Sequence, residues 1–384
     1  MQLEAQFIRS LAEVEAAQWN AVADTGYPFL RHDFLLGLEQ TDCTTADTGW
    51  QPCHLLLREG DRLVATLPLY LKSHSYGEYV FDWSWADAWR RSGLEYYPKL
   101  VSAIPFTPAS GPRLSYLPEL DSDQVWSAAI QAVTGFASRQ QLSSWHLLFC
   151  DKTVSRDLLT RGLPQRRAVQ FHWFNDGYRD FDEFLSTFNS RKRKSLRRER
   201  RRVEEQGLEL ETLVGPAISP DHWEQFHQFY QLTYAKRSGH GGYLSREFFT
   251  QVAAGMGRQV IMVLARDGRE AVAGALYFRS HDTLYGRYWG CLREYDCLHF
   301  EACYYQGIEY CIREGLKCFD PGAQGEHKIQ RGFRPVETFS NHWIADPGLA
   351  RAVADFAERE RPHTQSYLQE ASTLLPFKSP RKGD

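Results

Sequence analysis

Residues 54–83 read HLLLREGDRLVATLPLYLKSHSYGEYVFDW, and residues 262–289 read MVLARDGREAVAGALYFRSHDTLYGRYW. Both run from an apolar strand through an acidic-Gly turn into a second apolar strand, then through a basic-Ser-His step to an aromatic strand. Acidic-Gly pairs between alternating segments are typical of hairpin turns. His74 and His281 are 281 − 74 = 207 positions apart, about one domain length. The pattern therefore predicts a duplicated fold, although two unrelated meanders remain the alternative.

Helix and strand signals follow both meanders in the same order. After the second one, apolar residues recur at helical spacing over 298–315, and a short apolar strand over 316–319 comes next. The first half has a helical pattern near 123–140, with strand patterns near 145–150 and 168–174. We predict an α/β (α+β) chain of two domains, 1–165 and 166–384.

Composition limits the class of protein. The chain has 384 residues and a formal net charge of −3, so any argument for binding a polyanion must be local. No segment has the pattern of a signal peptide or the roughly 20 apolar residues that span a bilayer. We therefore expect a cytoplasmic protein. None of its eight cysteines forms a CxxC pair, which favours free thiols over a metal site.

Three stretches of the second half carry a family resemblance. They are the basic helix RKRKSLRRERRRVEEQGL at 191–208, the segment FHQFYQLTYAKR followed by YLSREFF within 223–256, and CFDPGAQGEHKIQRGFRP at 318–335. The order of meander, helix and strand resembles the GNAT superfamily of acyltransferases, and these stretches resemble its FemAB-like peptidyltransferases. The phrases PLYLKSHSYGEYVFDW, PFTP, LYGRYWGC and GAQGEHK are similar to those of predicted bacterial N-acyltransferases.

The resemblance implies a tandem duplicated GNAT fold and an enzyme that transfers an acyl or aminoacyl group. It implies aminoacyl-tRNA or acyl-coenzyme A as the co-substrate, and no tightly bound cofactor. Possible partners are tRNA and an amine acceptor that is a small molecule or a peptidoglycan (cell-wall) precursor. The acyl group, the acceptor and the oligomeric state are not implied.

A basic helix is the first candidate binding element. Residues 191–202 hold nine Lys or Arg and one acid, Glu199. Ser190 is the expected N-cap, so the cations crowd the positive end of the helix against the macrodipole. This placement favours phosphate binding over a merely solvated face. The residues assigned to the phosphate-rich carrier are Arg191, Lys194, Arg197, Arg198 and Arg201.

The loop GAQGEHKIQRGF at 322–333 is the candidate catalytic segment. The resemblance places Lys328 near the reacting carbonyl, where a cation stabilises the oxyanion. Either Glu326 or His327 is expected to take the amine proton, and Gln324 to contact substrate. A polar structural loop is the alternative.

Two aromatic regions are weaker candidates for substrate binding. Strand alternation puts Arg287 and Trp289 on one face. In the first half, FDWSWADAW gives Asp82 and Trp83 as an acceptor platform, with Trp85 and Trp89 beside them, and places it at a cleft shared by both domains. Core packing is the alternative for these tryptophans.

The segment GCLREYDCLH at 290–299 bears on the donor. A coenzyme A pyrophosphate is usually held by glycine-rich backbone at a helix start, whereas Glu294 and Asp296 stand here. These acids disfavour a coenzyme A donor, and the resemblance to the FemAB-like branch, which also lacks the glycine-rich loop, implies aminoacyl-tRNA instead. Acyl-coenzyme A-dependent transfer to a small metabolite is the second hypothesis, and a non-catalytic protein that binds cell-wall precursors or RNA is the third. No GxSxG, Walker or HExxH motif occurs.

Overall fold

The chain folds into two compact units. The structure is a computed structural model that describes residues 3–323 and 325–378, apart from the side chains at 253 and 254. Unit 1 contains Met1–Ala168 and Glu337–Ser366, and unit 2 contains Val169–Val336 and Tyr367–Asp384. Each unit therefore takes two separate stretches of sequence.

This division differs from the predicted one in a single respect. The first junction falls at 168, close to the predicted 165, but residues 337–366 return to unit 1. The reason is strand pairing, since the strand Arg334–Ile344 pairs with the strand Ser144–Cys150 of unit 1. A pairing between segments so far apart leaves no trace in the local pattern of the sequence.

The strands of unit 1 form two groups. They are β1 (Glu4–Ile8), β2 (Trp50–Pro52), β3 (His54–Glu59), β4 (Arg62–Leu67), β5 (Tyr70–Lys72), β6 (Lys99–Ser102), β7 (Ser115–Tyr116), β8 (Ser144–Cys150) and the unit 1 part of β15 (Arg334–Ile344). One group has the order β1-β3-β4-β7, and the other has the order β15-β8-β6-β5-β2. The pair β6 and β8 is parallel, and β15 lies antiparallel to β8.

The described strands of unit 2 lie side by side in one series. Its strands are the unit 2 part of β9 (Gln165–Phe174), β10 (Leu208–Val214), β11 (Val260–Asp267), β12 (Glu270–Arg279), β13 (Thr283–Cys291) and β14 (Cys318–Asp320). The order is β10-β11-β12-β13-β14-β9. Only β13 and β14 pair in parallel, and β9 is antiparallel to β14. The predicted strands near 145–150 and 168–174 are confirmed, and the one near 316–319 forms slightly later, as β14.

The predicted duplication is visible in the geometry of the two hairpins. Gly60 and Gly268 occupy the turns with φ of +57° and +58°, a left-handed conformation that glycine adopts without strain. A bulge interrupts the β3–β4 register after Leu57 and the β11–β12 register after Ala265. Turn and bulge are thus displaced by the same 208 positions, because 268 − 60 and 265 − 57 are equal.

The helices pack their apolar faces on these sheets. They are α1 (Ala16–Val22), α2 (His32–Gln40), α3 (Trp83–Arg91), α4 (Ser122–Arg139), α5 (Lys152–Thr160), α6 (Phe181–Ser186), α7 (Ser190–Glu205), α8 (Pro220–Ser238), α9 (Arg246–Met256), α10 (Leu298–Phe300), α11 (Gln306–Glu314) and α12 (Pro347–Thr373). In unit 1, the buried face of α4 joins the core of β3, β4 and β8 through Val125, Ala129 and Val133. Their spacing of four residues produces this apolar stripe.

The helix predicted over 298–315 is confirmed, with an irregular centre. A π-helical turn, Glu301–Tyr305, separates α10 from α11, and Gly315 ends the helix at φ +66°. Ala302, Tyr305 and Ile308 lie in the core of unit 2. Single π turns inside helices are frequent at functional sites.

Two local predictions were wrong. The aromatic segment 79–83 is not a strand, since α3 begins at Trp83 and no strand lies between 73 and 82. Ser190 is not the N-cap of the basic helix α7, because Asn189 accepts the hydrogen bond from the Lys192 amide at 3.0 Å. Among the described residues, no helix is long and apolar enough to cross a membrane.

Candidate functional site

A bulge in β13 positions the first charged group of the site. Leu276 of β12 pairs with Tyr288, and the next residue of β12 pairs with Gly286, so Arg287 is the extra residue. Bulges redirect side chains locally. The Arg287 guanidinium lies 2.7 Å from a carboxylate oxygen of Asp320, and both side chains are almost fully buried. The alternation that placed Arg287 and Trp289 on one face is interrupted at this point.

Asp320 ends β14 and organises the groups around it. Its Oδ1 accepts a hydrogen bond from the Gly322 amide at 2.8 Å, and His172 Nε2 lies 3.7 Å from the same oxygen. Burial acts to raise the pKa of this carboxyl, but the charges of Arg287 and His172 outweigh it and lower the pKa. Asp320 is therefore an anion held inside unit 2.

Lys328 is buried within the loop that follows. It lies in a 3₁₀ turn, Glu326–Arg331, and its side chain is 2% exposed. Its Nζ donates to the carbonyls of Gly322 at 2.7 Å and Ala323 at 3.5 Å. Burial lowers the pKa of Lys328 to about 8, and Arg287 adds to the effect while Asp320 opposes it. Lys328 is thus mostly a cation at pH 7 and can lose its proton just above that pH.

His327, which precedes Lys328 in the sequence, is neutral at pH 7. Burial, with the charges of Arg331 and Lys328, lowers the pKa of His327 to about 4. Its Nε2 lies 2.9 Å from the hydroxyl of Tyr304, which is on the π turn. A histidine that is neutral at pH 7 has a lone pair on one ring nitrogen and is chemically able to accept a proton. Glu326 is exposed and accepts a hydrogen bond from the Tyr367 hydroxyl at 2.6 Å.

A pocket of about 440 Å³ opens between α7 and this loop. A half-buried polar link forms part of it, in which Glu199 accepts hydrogen bonds from Arg331 at 2.8 Å and also from the Tyr305 hydroxyl. The pocket combines both signs of charge with apolar walls. It is lined by Lys192, Ser195, Leu196, Glu199, Phe300, Glu326, His327, Ile329, Gln330, Arg331 and Leu374.

The opposite side of α7 is a row of cations. Arg191, Lys194, Arg198 and Arg201 are exposed, and their spacing of three, four and three residues puts them on one helix face. None of the four forms an ion pair with a carboxylate within the described part of the chain. Arg197, the fifth predicted carrier residue, differs from them because it pairs with Asp182 at 2.9 Å.

Trp289 lies against His299, a residue that the sequence interpretation left aside. The ring centroids of Trp289 and His299 are 5.4 Å apart, and those of His299 and His327 are 6.3 Å apart. Burial lowers the pKa of His299 to about 3, helped by Arg237. Trp289 and His327 are thus brought into one aromatic cluster through His299.

The first-unit candidates separate in the structure. Asp82 is buried, and its carboxylate binds Lys99 and the Tyr96 hydroxyl. Trp85 and Trp89 are core residues, as the alternative interpretation held. Trp83 remains exposed. Gln324 lies outside the described residues.

Sequence reasoning missed several residues that the fold brings to the site. Asp320 was visible only as part of the acidic-Gly turn after a strand, and Glu199 only as the single acid of a basic run. His172 and Tyr304 carried no signal, because each sits in a regular apolar segment. Their roles depend on which strands and helices become neighbours.

The arrangement of strands, helices and buried loop defines the class of the protein. A parallel pair flanked by an antiparallel strand, with a helix before the second parallel strand, occurs in both units, and the chain has the tandem GNAT fold. The sequence matches the FemAB-like family, described as peptidoglycan biosynthesis/recognition, over residues 10–379. The chain belongs to this family.

Solved structures support the fold at low sequence identity. The crystal structure of FemX is similar with a TM-score of 0.53 and 12% identity, covering 91% of this chain and 100% of that one. The C-terminal domain of a putative lysylphosphatidylglycerol synthetase from Agrobacterium fabrum has a TM-score of 0.52 and 11% identity, covering 90% and 96%. L-PGS from Bacillus licheniformis has a TM-score of 0.50 and 10% identity, covering 90% and 97%. No curated protein matches the sequence.

Proposed function

We propose that the protein is an N-acyltransferase that moves an acyl or aminoacyl group from a phosphate-rich carrier, with aminoacyl-tRNA favoured, to an amine acceptor. The observation that carries this proposal is the two-sided character of α7. One side presents to solvent four cations that form no ion pair among the described residues, while the other lines the pocket to which Glu326 and His327 of the catalytic loop contribute. A single helix thus offers contacts to a polyanionic carrier and to its reactive end.

The exposed row of cations supports the choice of carrier. Arg191 and Arg201 are ten residues apart on α7, which corresponds to about 15 Å at the rise of an α-helix. Four cations over that length fit the regular phosphates of a nucleic-acid backbone. A carrier with a single pyrophosphate would use only part of the row.

The loop supplies groups suited to acyl transfer. In this reaction the amine nitrogen attacks the carbonyl carbon, and a C–N bond forms while the bond to the carrier oxygen breaks. Lys328, a buried cation with one N–H beyond its two carbonyl contacts, would stabilise the oxyanion of the tetrahedral intermediate. His327 or Glu326 would take the proton of the amine, which is then returned to the leaving oxygen.

The comparisons are consistent with this chemistry. The family is described by peptidoglycan biosynthesis or recognition, which makes a cell-wall precursor a natural choice of amine acceptor. One similar structure is named as a putative lysylphosphatidylglycerol synthetase.

Acyl-coenzyme A is the second candidate donor, and one observation favours it. The acids that were expected to repel a pyrophosphate are each near a cation. Glu294 forms an ion pair with Lys236, and Asp296 lies 3.7 Å from Arg202. The electrostatic objection to coenzyme A is therefore weaker than the sequence indicates.

Salt-dependent binding tests the carrier. The quadruple variant R191Q/K194Q/R198Q/R201Q should bind tRNA more weakly, and its slope of log K against log salt should be shallower by about 3, since each phosphate contact contributes about 0.7–0.9. The control R179Q/R246Q/R293Q/R313Q removes the same charge from exposed arginines that are paired with carboxylates. It should keep the wild-type slope.

The outcome also separates the two donors. Equal slopes for wild type and the quadruple variant would show that the row of cations is only a solvated face. Acyl transfer from acetyl-coenzyme A by the same variant at the wild-type rate, with no transfer from aminoacyl-tRNA by the wild type, would replace the first donor with the second.

A further inference from the structure

Exposed apolar side chains are concentrated in one short stretch of unit 1. Of the nine large apolar side chains that are exposed among the described residues, four lie between 76 and 94. They are Tyr76 at 57%, Phe81 at 55%, Trp83 at 46% and Leu94 at 42% exposure. A concentration of this kind is typical of a binding surface, whereas scattered exposed apolar residues are ordinary.

A groove of about 510 Å³ runs beside this stretch. Trp83 and Leu94 are among the residues that line it, and the ring of Tyr76 lies 5.3 Å from that of Trp83. The volume falls in the range of small-molecule sites. The groove is lined by Trp83, Ala86, Asp87, Arg90, Gly93, Leu94, Glu95, Tyr96 and Tyr97.

Buried hydrogen bonds fix the aromatic walls of the groove. Tyr96 donates from its hydroxyl to Asp82 at 2.6 Å, and Tyr97 shares a hydrogen bond of 2.8 Å with Ser75. Lys99 in turn binds both Asp82 and Ser75. Walls that are held in place before a ligand arrives reduce the ordering cost of binding.

The charges around the groove indicate a neutral ligand. Asp87 and Glu95 are balanced by Arg90 and Arg91, and Asp87 is paired with both arginines. The exposed charges of this stretch therefore sum to zero, unlike the cationic face expected for a phosphate or an anionic bilayer. The surface is also concave, whereas a membrane requires one that projects.

We propose that this groove binds a neutral oligosaccharide of hexopyranose units. A pyranose has one face of C–H groups, which suits the flat indole of Trp83, and a rim of hydroxyls, which suits the carboxylate of Glu95 and the guanidinium of Arg90. The site lies wholly in unit 1 and contains neither the cations of α7 nor the residues of the catalytic loop, and of the residues predicted to bind substrate it includes Trp83. Its binding does not depend on the proposed reaction.

Binding of two neutral trisaccharides tests the proposal. Chitotriose and cellotriose are titrated into the full chain and followed by calorimetry and by saturation-transfer NMR. At least one of the two sugars should bind with a dissociation constant in the millimolar range or below. W83A should weaken that binding at least tenfold. F81A, which removes an equally exposed ring that does not line the groove, should leave it unchanged. The thermal midpoint of each variant checks that the fold is intact.

Three results would overturn the proposal. The first is that neither sugar binds to the wild-type protein. The second is that W83A binds as the wild type does, or that F81A loses binding equally. The third is that the protein sediments with phosphatidylcholine vesicles in a Trp83-dependent manner while binding neither sugar, which would make the occupant a lipid surface.

Discussion

The two units place a buried polar pair at the same point of the same strand pattern. In unit 1, β6 runs parallel to β8, and His146 of β8 lies opposite His342 of β15, with 2.7 Å between their Nδ1 atoms. In unit 2, β13 runs parallel to β14, and Asp320 of β14 lies 3.7 Å from His172 of β9. The two units thus keep a polar pair at the same position, but the pair is His with His in unit 1 and Asp with His in unit 2.

Each unit also buries a lysine near this pair, and the two lysines differ in their partners. Lys99 is bound by Glu78 and Asp82. Burial acts to lower its pKa, but the two carboxylates outweigh burial and raise it. Among the described residues, Lys328 Nζ donates to the backbone carbonyls of Gly322 and Ala323, and burial lowers its pKa to about 8. The charge of Lys99 is neutralised by carboxylates of its own unit, so this lysine supports the fold. The charge of Lys328 has no such carboxylate contact in the described part of the chain, so this lysine is suited to binding a substrate.

The largest expected effect concerns the lysine of unit 1. Lys99→Met leaves Glu78 and Asp82 buried without their cation, and should lower the free energy of unfolding by about 3–5 kcal/mol. Lys72→Met is the matched control, because Lys72 is equally buried but its Nζ contacts the Tyr76 carbonyl and the Trp50 ring, and forms no ion pair with a carboxylate among the described residues. Lys72→Met should lower the free energy of unfolding by less than about 1.5 kcal/mol. Urea unfolding measures both, and equal losses would remove the distinction.

The next effect concerns the lysine of unit 2. Lys328→Met should reduce kcat by about 100- to 1000-fold with little change in KM, since an oxyanion contact exists mainly in the transition state. The free energy of unfolding should not fall as it does for Lys99→Met. Steady-state kinetics and urea unfolding of the same preparation measure both. A rise in KM at constant kcat would assign Lys328 to carrier binding instead.

Much of this comparison was visible in the sequence, and part of it was not. The turns at Gly60 and Gly268 and the helix ending at Gly315 depend on local patterns, and the role proposed for Lys328 depends on a family motif. Asp82 precedes α3, and its burial depends on Lys99, which lies on the strand β6. Local spacing carries no information about such partners.

The same limit explains the bulge and the basic helix. Arg287 leaves the alternation of β13 because β12 pairs with one residue fewer, which only the register shows. The run of nine cations on α7 divides into an outer row and an inner set because Leu196 and Val203 are buried. Helical periodicity predicts the existence of two faces, but the bound acids Asp182 and Glu301 were needed to distinguish paired cations from unpaired ones.

A third prediction uses the lowered pKa of Lys328. The protonated form is the active one, so kcat should be level below pH 7 and fall about tenfold per pH unit well above the pKa of about 8. Lys328→Arg keeps its charge in this range. Whatever the absolute kcat of this variant, its kcat should not decline above pH 8. A kcat profile from pH 6 to 10 measures it, and an unchanged decline in the arginine variant would assign the titration to another group.

The smallest expected effect concerns Glu78. Burial raises its pKa to about 7 in the folded unit, so the folded state holds a proton that the unfolded state has lost between about pH 5 and 7. Stability from this group is present at low pH and is lost as pH rises, by at most about 1.4 kcal/mol per unit. Glu78→Gln should show a flatter pH dependence of unfolding than the wild type. Parallel curves would contradict the assignment.

The late strand of unit 1 has a consequence during synthesis on the ribosome. β8 ends at Cys150, but its partner β15 is complete only at Ile344, which is 344 − 150 = 194 residues later. At about 5–20 residues per second, translation takes roughly 10–40 s to cover that distance. Throughout that interval the nascent unit 1 has an unpaired strand edge, which is a site for mispairing with other chains. Correct folding of unit 1 therefore requires that the free edge of β8 stay protected from other chains until β15 has been synthesised.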